Sequence, residues 1–149
     1  MEHDCDIAIV GGGLNGPALA LAAAQVGLRV IVLDATSHKP RKNAKFDGRA
    51  YALALASKRL MAAVGVWENV AQDVEPMLNI RVSDGHAGVG ASPFFMDFDH
   101  AELEEGPMGY MVEDRHLRYA LQAAMQTSPL IEYRLATRVT GQSTGPEGV

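Results

Sequence analysis

The residues with the clearest chemical potential are the glycines of the run Gly11–Gly16, which reads GGGLNG. Its first, third and sixth positions have the G-x-G-x-x-G spacing of a dinucleotide-binding turn. Gly11 would allow a tight turn out of a strand, Gly13 would let a pyrophosphate approach the backbone, and Gly16 would let helix and strand pack closely. The spacing predicts a cradle for nucleotide phosphates at a helix N-terminus.

An acidic residue stands where such a turn requires one. Asp34 follows the glycines by about 20 residues, the separation at which a carboxylate accepts hydrogen bonds from the adenosine ribose hydroxyls. The same carboxylate would repel a 2′-phosphate, so NADP is disfavoured at this site. FAD and NAD both remain compatible with these residues.

Two arginines are candidates for contacting the bound nucleotide, Arg49 and Arg115. Arg115 follows Asp114, which is predicted to cap the N-terminus of a helix. A cation in the first turn opposes the helix dipole by about 0.3–1 kcal/mol, and a side chain in an unfavourable place is a candidate ligand contact. The alternative is a surface arginine that pairs with Glu113 or Asp114, and the residues alone leave both open.

The elements that must position these residues form a strand–helix–strand unit. Cys5–Val10 is a short apolar run typical of a buried parallel strand, and it opens directly into the glycines. Leu14–Val26 is rich in alanine and leucine and is predicted to be a buried helix that Gly27 ends. Leu28–Leu33 is a second, β-branched strand. This order predicts an α/β, Rossmann-like fold.

The rest of the chain supplies further elements. Ser57 is predicted to cap a short helix in which Leu60, Met61 and Val64 share a face. Trp67 and the pair Phe94–Phe95 are predicted to lie in the core, with a platform for the substrate as the alternative. The other predicted elements are an extended segment Arg49–Leu55, strands Leu78–Val82, Pro93–Phe98 and Gly109–Val112, a helix Asp114–Gln126 and a strand Ile131–Leu135.

Composition and charge limit the classes of partner. The 149 residues suffice for one compact domain, and 48% hydrophobic with 21% charged residues is a globular composition. A net charge of -5 provides no basic footprint, so no nucleic-acid partner is predicted. The basic run 38–45 is either a solvated loop or a contact for phosphate or an acidic lipid surface.

The cysteine and histidine content and the absence of targeting signals bear on location. One cysteine and five scattered histidines show no metal-ligand spacing, so no metal site is predicted. The start of the chain lacks the basic region of a signal peptide, and no apolar run is long enough to cross a membrane. A cytoplasmic location is predicted, with attachment to a membrane surface left open.

Four segments together resemble one known family. They read AIVGGGLNGPALALA, FDGRAYALALAS, RVSDGHAG and VEDRHLRYAL, in this order between Asp6 and Leu135. The chain resembles the N-terminal part of the flavoprotein monooxygenases of ubiquinone biosynthesis, the UbiH/VisC group of the p-hydroxybenzoate hydroxylase class. FDGRA and VSDGHAG are more specific to this family than the glycines.

The resemblance implies FAD as the cofactor, NAD(P)H as a transient reductant, and O2 and an aromatic polyprenyl phenol as the substrates of a hydroxylation. It implies an FAD-binding core over residues 1–75, the first strands of a substrate domain over 76–112, and a return to the FAD-binding domain over 113–149. Asp114 departs from the family, which more often has Gln or Asn there. No catalytic residue is assigned. The residues implied to bind the cofactor are Gly11, Gly13, Leu14, Asn15, Gly16, Asp34, Arg49 and Arg115.

The match also predicts the first part of a longer protein, because the family's second flavin motif, a Gly-Asp-Ala segment, does not occur. Such a piece is expected to hold the adenosine half of FAD, to lack monooxygenase turnover alone, and to self-associate through open sheet edges. Association with the inner membrane surface or with a ubiquinone-biosynthesis complex is a further hypothesis. Two alternatives stay open, an NAD-dependent dehydrogenase domain and a non-catalytic nucleotide-binding fragment.

Overall fold

The chain begins with the predicted strand–helix–strand unit. The computed structural model describes residues 4–102, 104–146 and 148. Strand β1 covers Ile7–Val10, helix α1 covers Asn15–Gln25, and strand β2 covers Val30–Leu33. Gly27 follows α1 with a φ of 88°, a left-handed conformation that glycine adopts without strain and that ends the helix.

The later elements are six strands, two α-helices and two 3-10 helices among the described residues. Two short 3-10 helices, Trp67–Asn69 and His100–Glu102, lie in connections. The remaining strands and helices are β3 (Ala50–Ala54), α2 (Leu55–Ala63), β4 (Val74–Met77), β5 (Asn79–His86), β6 (Gly90–Asp99), β7 (Gly109–Glu113), α3 (Asp114–Thr127) and β8 (Ile131–Arg134).

The strands form three sheets. A parallel sheet has the order β1-β2-β8, so the last strand lies beside the second, with Val32 opposite Tyr133. An antiparallel sheet has the order β3-β7-β4. Among the described residues, strands β5 and β6 pair only with each other, as an antiparallel hairpin. The parallel sheet brings the ends of β1 and β2 together, where ligands bind in open α/β sheets.

The core lies where α1 and α3 pack beside the parallel sheet. Leu117, Leu121 and Met125 recur every four residues, which puts them on one face of α3, and all three are buried. On α1, the fully buried Ala20 presents only a methyl group to its neighbours. A small side chain there lets the helix approach the strands closely, as the glycine turn requires.

Three sequence predictions about side chains are wrong. Helix α2 starts at Leu55, directly after β3, so Ser57 lies inside the helix and caps nothing. Met61 and Val64 are buried as predicted, but Leu60 is 45% exposed. Phe94 and Phe95 are 85% and 51% exposed, because the β5–β6 hairpin that carries them has no second layer packed on it among the described residues.

Among the described residues, no helix has the length and apolar character needed to cross a membrane.

Candidate functional site

The glycine turn lies at the carboxyl end of β1, next to the end of β2. The Gly11 N–H donates to the Leu33 carbonyl oxygen at 2.8 Å, which fixes the start of the turn to the neighbouring strand. Gly11 has a φ of 120°, a backbone conformation in which a side chain would be strained. The tight turn predicted for this position is therefore present.

Gly16 and Gly13 differ in the space available for a side chain. A Cβ placed on Gly16 would overlap the Gly11 carbonyl oxygen and lie 3.1 Å from its carbon, so only glycine fits where α1 meets the turn. A Cβ on Gly13 would meet no protein atom within 4 Å. The backbone at Gly13 thus faces open space, as a site for an approaching phosphate requires.

The N-terminus of α1 is suited to an anion. Leu14 occupies the N-cap position and makes no side-chain capping hydrogen bond. The first amides of a helix have no intrahelical acceptor, and together with the helix dipole they attract negative charge. Pro17 lies in this first turn, where the missing N–H leaves no helical hydrogen bond broken. The turn can therefore bind a phosphate through its backbone.

Asp34 follows β2 directly, and Thr36 and Tyr133 hydrogen-bond its carboxylate. Its Oδ1 accepts the Thr36 N–H at 2.9 Å, and its Oδ2 accepts the Tyr133 hydroxyl at 2.7 Å. Burial raises the pKa of Asp34, but these hydrogen bonds and the charge of Arg118 outweigh it, so the pKa lies below its ordinary value. Asp34 is ionised near neutral pH, as an acceptor for ribose hydroxyls should be.

Gly12 and Tyr133 were not predicted from the sequence, yet both contact Asp34. A Cβ on Gly12 would overlap the Asp34 Oδ2 atom and lie 2.5 Å from the Tyr133 hydroxyl oxygen. The second glycine of the run therefore accommodates the Asp34–Tyr133 pair. The fingerprint gives this position no role, and Tyr133 lies 99 residues from Asp34 in sequence.

Arg49 belongs to a charged network around a buried carboxylate. Its guanidinium lies 2.6 Å from Asp47 and 3.2 Å from Asp114. Asp114 is 3% exposed and also accepts hydrogen bonds from Tyr51 and Arg118. Burial raises its pKa, but these donors and the positive charges outweigh that effect and leave the pKa lowered. The Arg49 side chain is 55% exposed and retains donors for a ligand.

The prediction that Asp114 is a helix cap is wrong. Glu113 occupies the N-cap position with an extended backbone, and Asp114 is the first residue of α3. Its carboxylate points into the protein because three donors surround it there, whereas a capping side chain would bond the free amides of its own helix. The sequence pattern predicted the start of the helix correctly, but it assigned Asp114 the wrong structural role.

Arg115 has protein partners on both sides. Its Nε lies 2.5 Å from a Glu113 carboxylate oxygen, as the surface-pair alternative predicted. Its Nη1 donates to the Ala44 carbonyl oxygen at 2.7 Å, a partner 71 residues away. Arg115 therefore fastens the loop between β2 and β3 to the start of α3.

The predicted site residues fall into two groups with a link between them. The glycine turn and Asp34 form one group, and Arg49 and Arg115 form the other at the start of α3. Arg118 joins them, because it is bonded to Asp114 while its charge also lowers the pKa of Asp34. Its position one turn into an amphipathic helix gave no signal of this role in the sequence.

Comparison with known proteins identifies the fold of this site. A family model described as FAD binding domain matches residues 4–149. Ubiquinone hydroxylase UbiL of Rhodospirillum rubrum is 40% identical over 144 residues, which are 97% of this chain and 32% of that protein. The 3-demethoxyubiquinol 3-hydroxylase of Escherichia coli is 35% identical over 132 residues, 87% of this chain and 32% of that protein.

A solved structure agrees at the level of fold. Aklavinone-11 hydroxylase in complex with FAD and aklavinone superposes with a TM-score of 0.68 and 21% identity, over 99% of this chain and 28% of that one. The chain spans about a third of the length of the curated relatives quoted. The chain belongs to the FAD binding domain family, which confirms the predicted α/β fold class, the family resemblance and FAD as the cofactor.

Proposed function

We propose that this FAD-binding domain is part of a flavoprotein monooxygenase that hydroxylates a polyprenylated phenol in ubiquinone biosynthesis, with NAD(P)H as reductant and O2 as co-substrate. The names of the curated relatives support the reaction class and the substrate class. The observation that carries the cofactor assignment is the glycine turn, whose Gly13 backbone faces open space beside the ionised Asp34.

The residues present fit FAD at its adenosine end. The turn would hold the pyrophosphate through its backbone amides, from Gly11 through Leu14 and Asn15 to Gly16. Asp34 would accept the ribose hydroxyls, and its negative charge disfavours a 2′-phosphate. FAD would supply the redox chemistry of the reaction, and the protein would bind and orient it.

Arg49 and Arg115 would contact the bound flavin nucleotide at the start of α3. Arg49 supports this role by its exposed guanidinium, which the Asp47 and Asp114 carboxylates hold in place. Arg115 is 30% exposed and also donates to the Ala44 carbonyl oxygen, so it would order the adjoining loop as well as contact the nucleotide.

The chain would divide into three functional segments. Residues 1–75 would form the FAD-binding core, 76–112 would begin the substrate domain, and 113–149 would return to the FAD-binding domain. The β5–β6 hairpin supports the second segment, because in the part of the chain that the structure describes it pairs with neither of the other sheets. A substrate with a long apolar tail would also place the enzyme at a membrane surface or in a complex with other enzymes of the pathway.

The test uses a full-length protein, in which this chain is extended to the length of its relatives. Its visible absorbance is recorded, and NAD(P)H oxidation is then assayed with a polyprenylated phenol. A yellow protein that forms stoichiometric hydroxylated product supports the proposal. A colourless protein that binds NAD instead would replace it with the dehydrogenase alternative. The 149-residue piece by itself is expected to show no turnover, since it spans only about a third of the relatives quoted.

A further inference from the structure

We propose that Tyr133 is a positioning residue for the adenosine ribose, which fixes the Asp34 carboxylate in the orientation that accepts the ribose hydroxyls. The inference deepens the proposed binding of FAD and rests on it. Tyr133 lies on β8, outside both the glycine turn and the strand that leads to Asp34.

The geometry brings three separate segments to one point. Tyr133 pairs in register with Val32, and its hydroxyl extends along the sheet to the Asp34 Oδ2 atom, 2.7 Å away. The Asp34 N–H donates to the Arg134 carbonyl oxygen at 2.9 Å, so backbone and side chain of this acid are both fixed to β8. Gly12 lies against the pair, where a side chain would displace it.

The hydrogen bonds do not use all the acceptor sites of the Asp34 carboxylate. An ionised carboxylate has about four lone-pair sites, two on each oxygen. Thr36 occupies one site on Oδ1 and Tyr133 occupies one on Oδ2. The Thr36 hydroxyl is a third donor to the carboxylate. About one of the four lone-pair sites therefore stays available to accept a ribose hydroxyl.

Tyrosine is well suited to this task. Its ring packs against the hydrophobic core, so the hydroxyl is delivered from a fixed direction. Burial raises the pKa of Tyr133, and Asp34 raises it further, so the hydroxyl stays protonated and donates. A donor on a flexible side chain would lose more conformational entropy on being held in the same place.

The experiment compares the Tyr133→Phe variant of the full-length protein with the unaltered full-length protein. Phenylalanine keeps the ring in the core and removes only the hydroxyl. Affinities are measured by calorimetry for FAD, for ADP and for 2′,3′-dideoxy-ADP, which lacks the ribose hydroxyls. The variant should bind FAD and ADP roughly tenfold more weakly, corresponding to about 1.4 kcal/mol, with dideoxy-ADP affinity unchanged.

Tyr119→Phe is the matched control. It removes a hydroxyl from α3 that has no hydrogen-bond partner among the described residues, and it should leave all three affinities unchanged. Gly12→Ala is a second route to the same pair, because its Cβ would displace Asp34 and Tyr133 without removing either. It should also lower the ratio of ADP to dideoxy-ADP affinity.

The outcomes separate the inference from the proposed function. If Tyr133→Phe leaves the ratio of ADP to dideoxy-ADP affinity unchanged, the role of Tyr133 is overturned. The proposed binding of FAD by the unaltered protein would still stand. Asp34→Asn should then still weaken ADP binding. If the unaltered full-length protein binds neither FAD nor ADP, the proposed cofactor site itself is overturned.

Discussion

Replacing Gly16 with alanine tests the glycine turn at the point where helix and strand meet. The added Cβ would overlap the backbone carbonyl oxygen of Gly11. No side-chain rotation can relieve a contact with backbone, so α1 or the turn must shift. Because the turn forms the proposed phosphate cradle, the same shift should disturb ligand binding.

Two opposing effects decide the magnitude. Alanine is favoured over glycine inside a helix by about 0.8–1 kcal/mol, and less in the first turn, where Gly16 lies. Overpacking of a tight contact costs about 1–3 kcal/mol. The steric cost outweighs the helix propensity, and Gly16→Ala should lower the free energy of unfolding by about 1–2 kcal/mol.

Gly13→Ala provides the informative contrast, since its Cβ would meet no protein atom within 4 Å. It should keep the unfolding midpoint and still weaken FAD binding, because the Cβ occupies the space proposed for the pyrophosphate. Gly141→Ala adds a Cβ in open space outside the cradle and should change neither property. Stability is measured by urea denaturation, and affinity by quenching of flavin fluorescence.

Two results would refute this reasoning. Gly16→Ala with undiminished stability would show that the close approach of helix and strand is not required. Gly13→Ala with undiminished FAD affinity would show that the phosphates do not lie over this backbone, even if Gly16→Ala behaves as expected.

Two further predictions concern the carboxylates of Asp114 and Asp34. Asp114→Asn should destabilise the fold by about 3 kcal/mol in urea denaturation, because it leaves the charge of Arg118 without its partner. The control is Glu132→Gln, which removes an exposed ion pair with Arg134 and should cost less than about 1 kcal/mol. The pKa values of Asp34 and Asp114 both lie below 3.8, so their contribution to stability is present above that pH and is lost as the pH falls through the folded-state values. The urea midpoint should therefore drop on acidification below about pH 4, and less steeply in Asp34→Asn; an equally steep drop would contradict the role assigned to that acid.

Local patterns explain which parts of the fold were predictable. The glycine turn, the flanking strands and Asp34 all lie within residues 7–34, where each signal depends on its neighbours in sequence. The elements predicted there agree with the structure to within a few residues. The helix over α3 was equally accessible, because the apolar residues Leu117, Leu121 and Met125 recur every four positions.

Contacts between distant segments explain what was missed. Nothing near Tyr133 indicates that β8 pairs with β2, so its hydrogen bond to Asp34 could not be inferred. The burial of Asp114 likewise depends on Tyr51, 63 residues away. Phe94 and Phe95 have the composition of a core, but their exposure depends on which elements pack against the hairpin.

The position of β8 beside β2 has a consequence for the order in which the site is assembled. The strand–helix–strand unit can form as soon as its own residues are available, but Asp34 gains its tyrosine partner only after 99 further residues have been added. Contacts that close long loops form late, because chain entropy opposes them until other interactions are in place. A nascent chain would therefore carry a glycine turn well before it carries a finished ribose site, and competence to retain FAD should arise at a late step of folding.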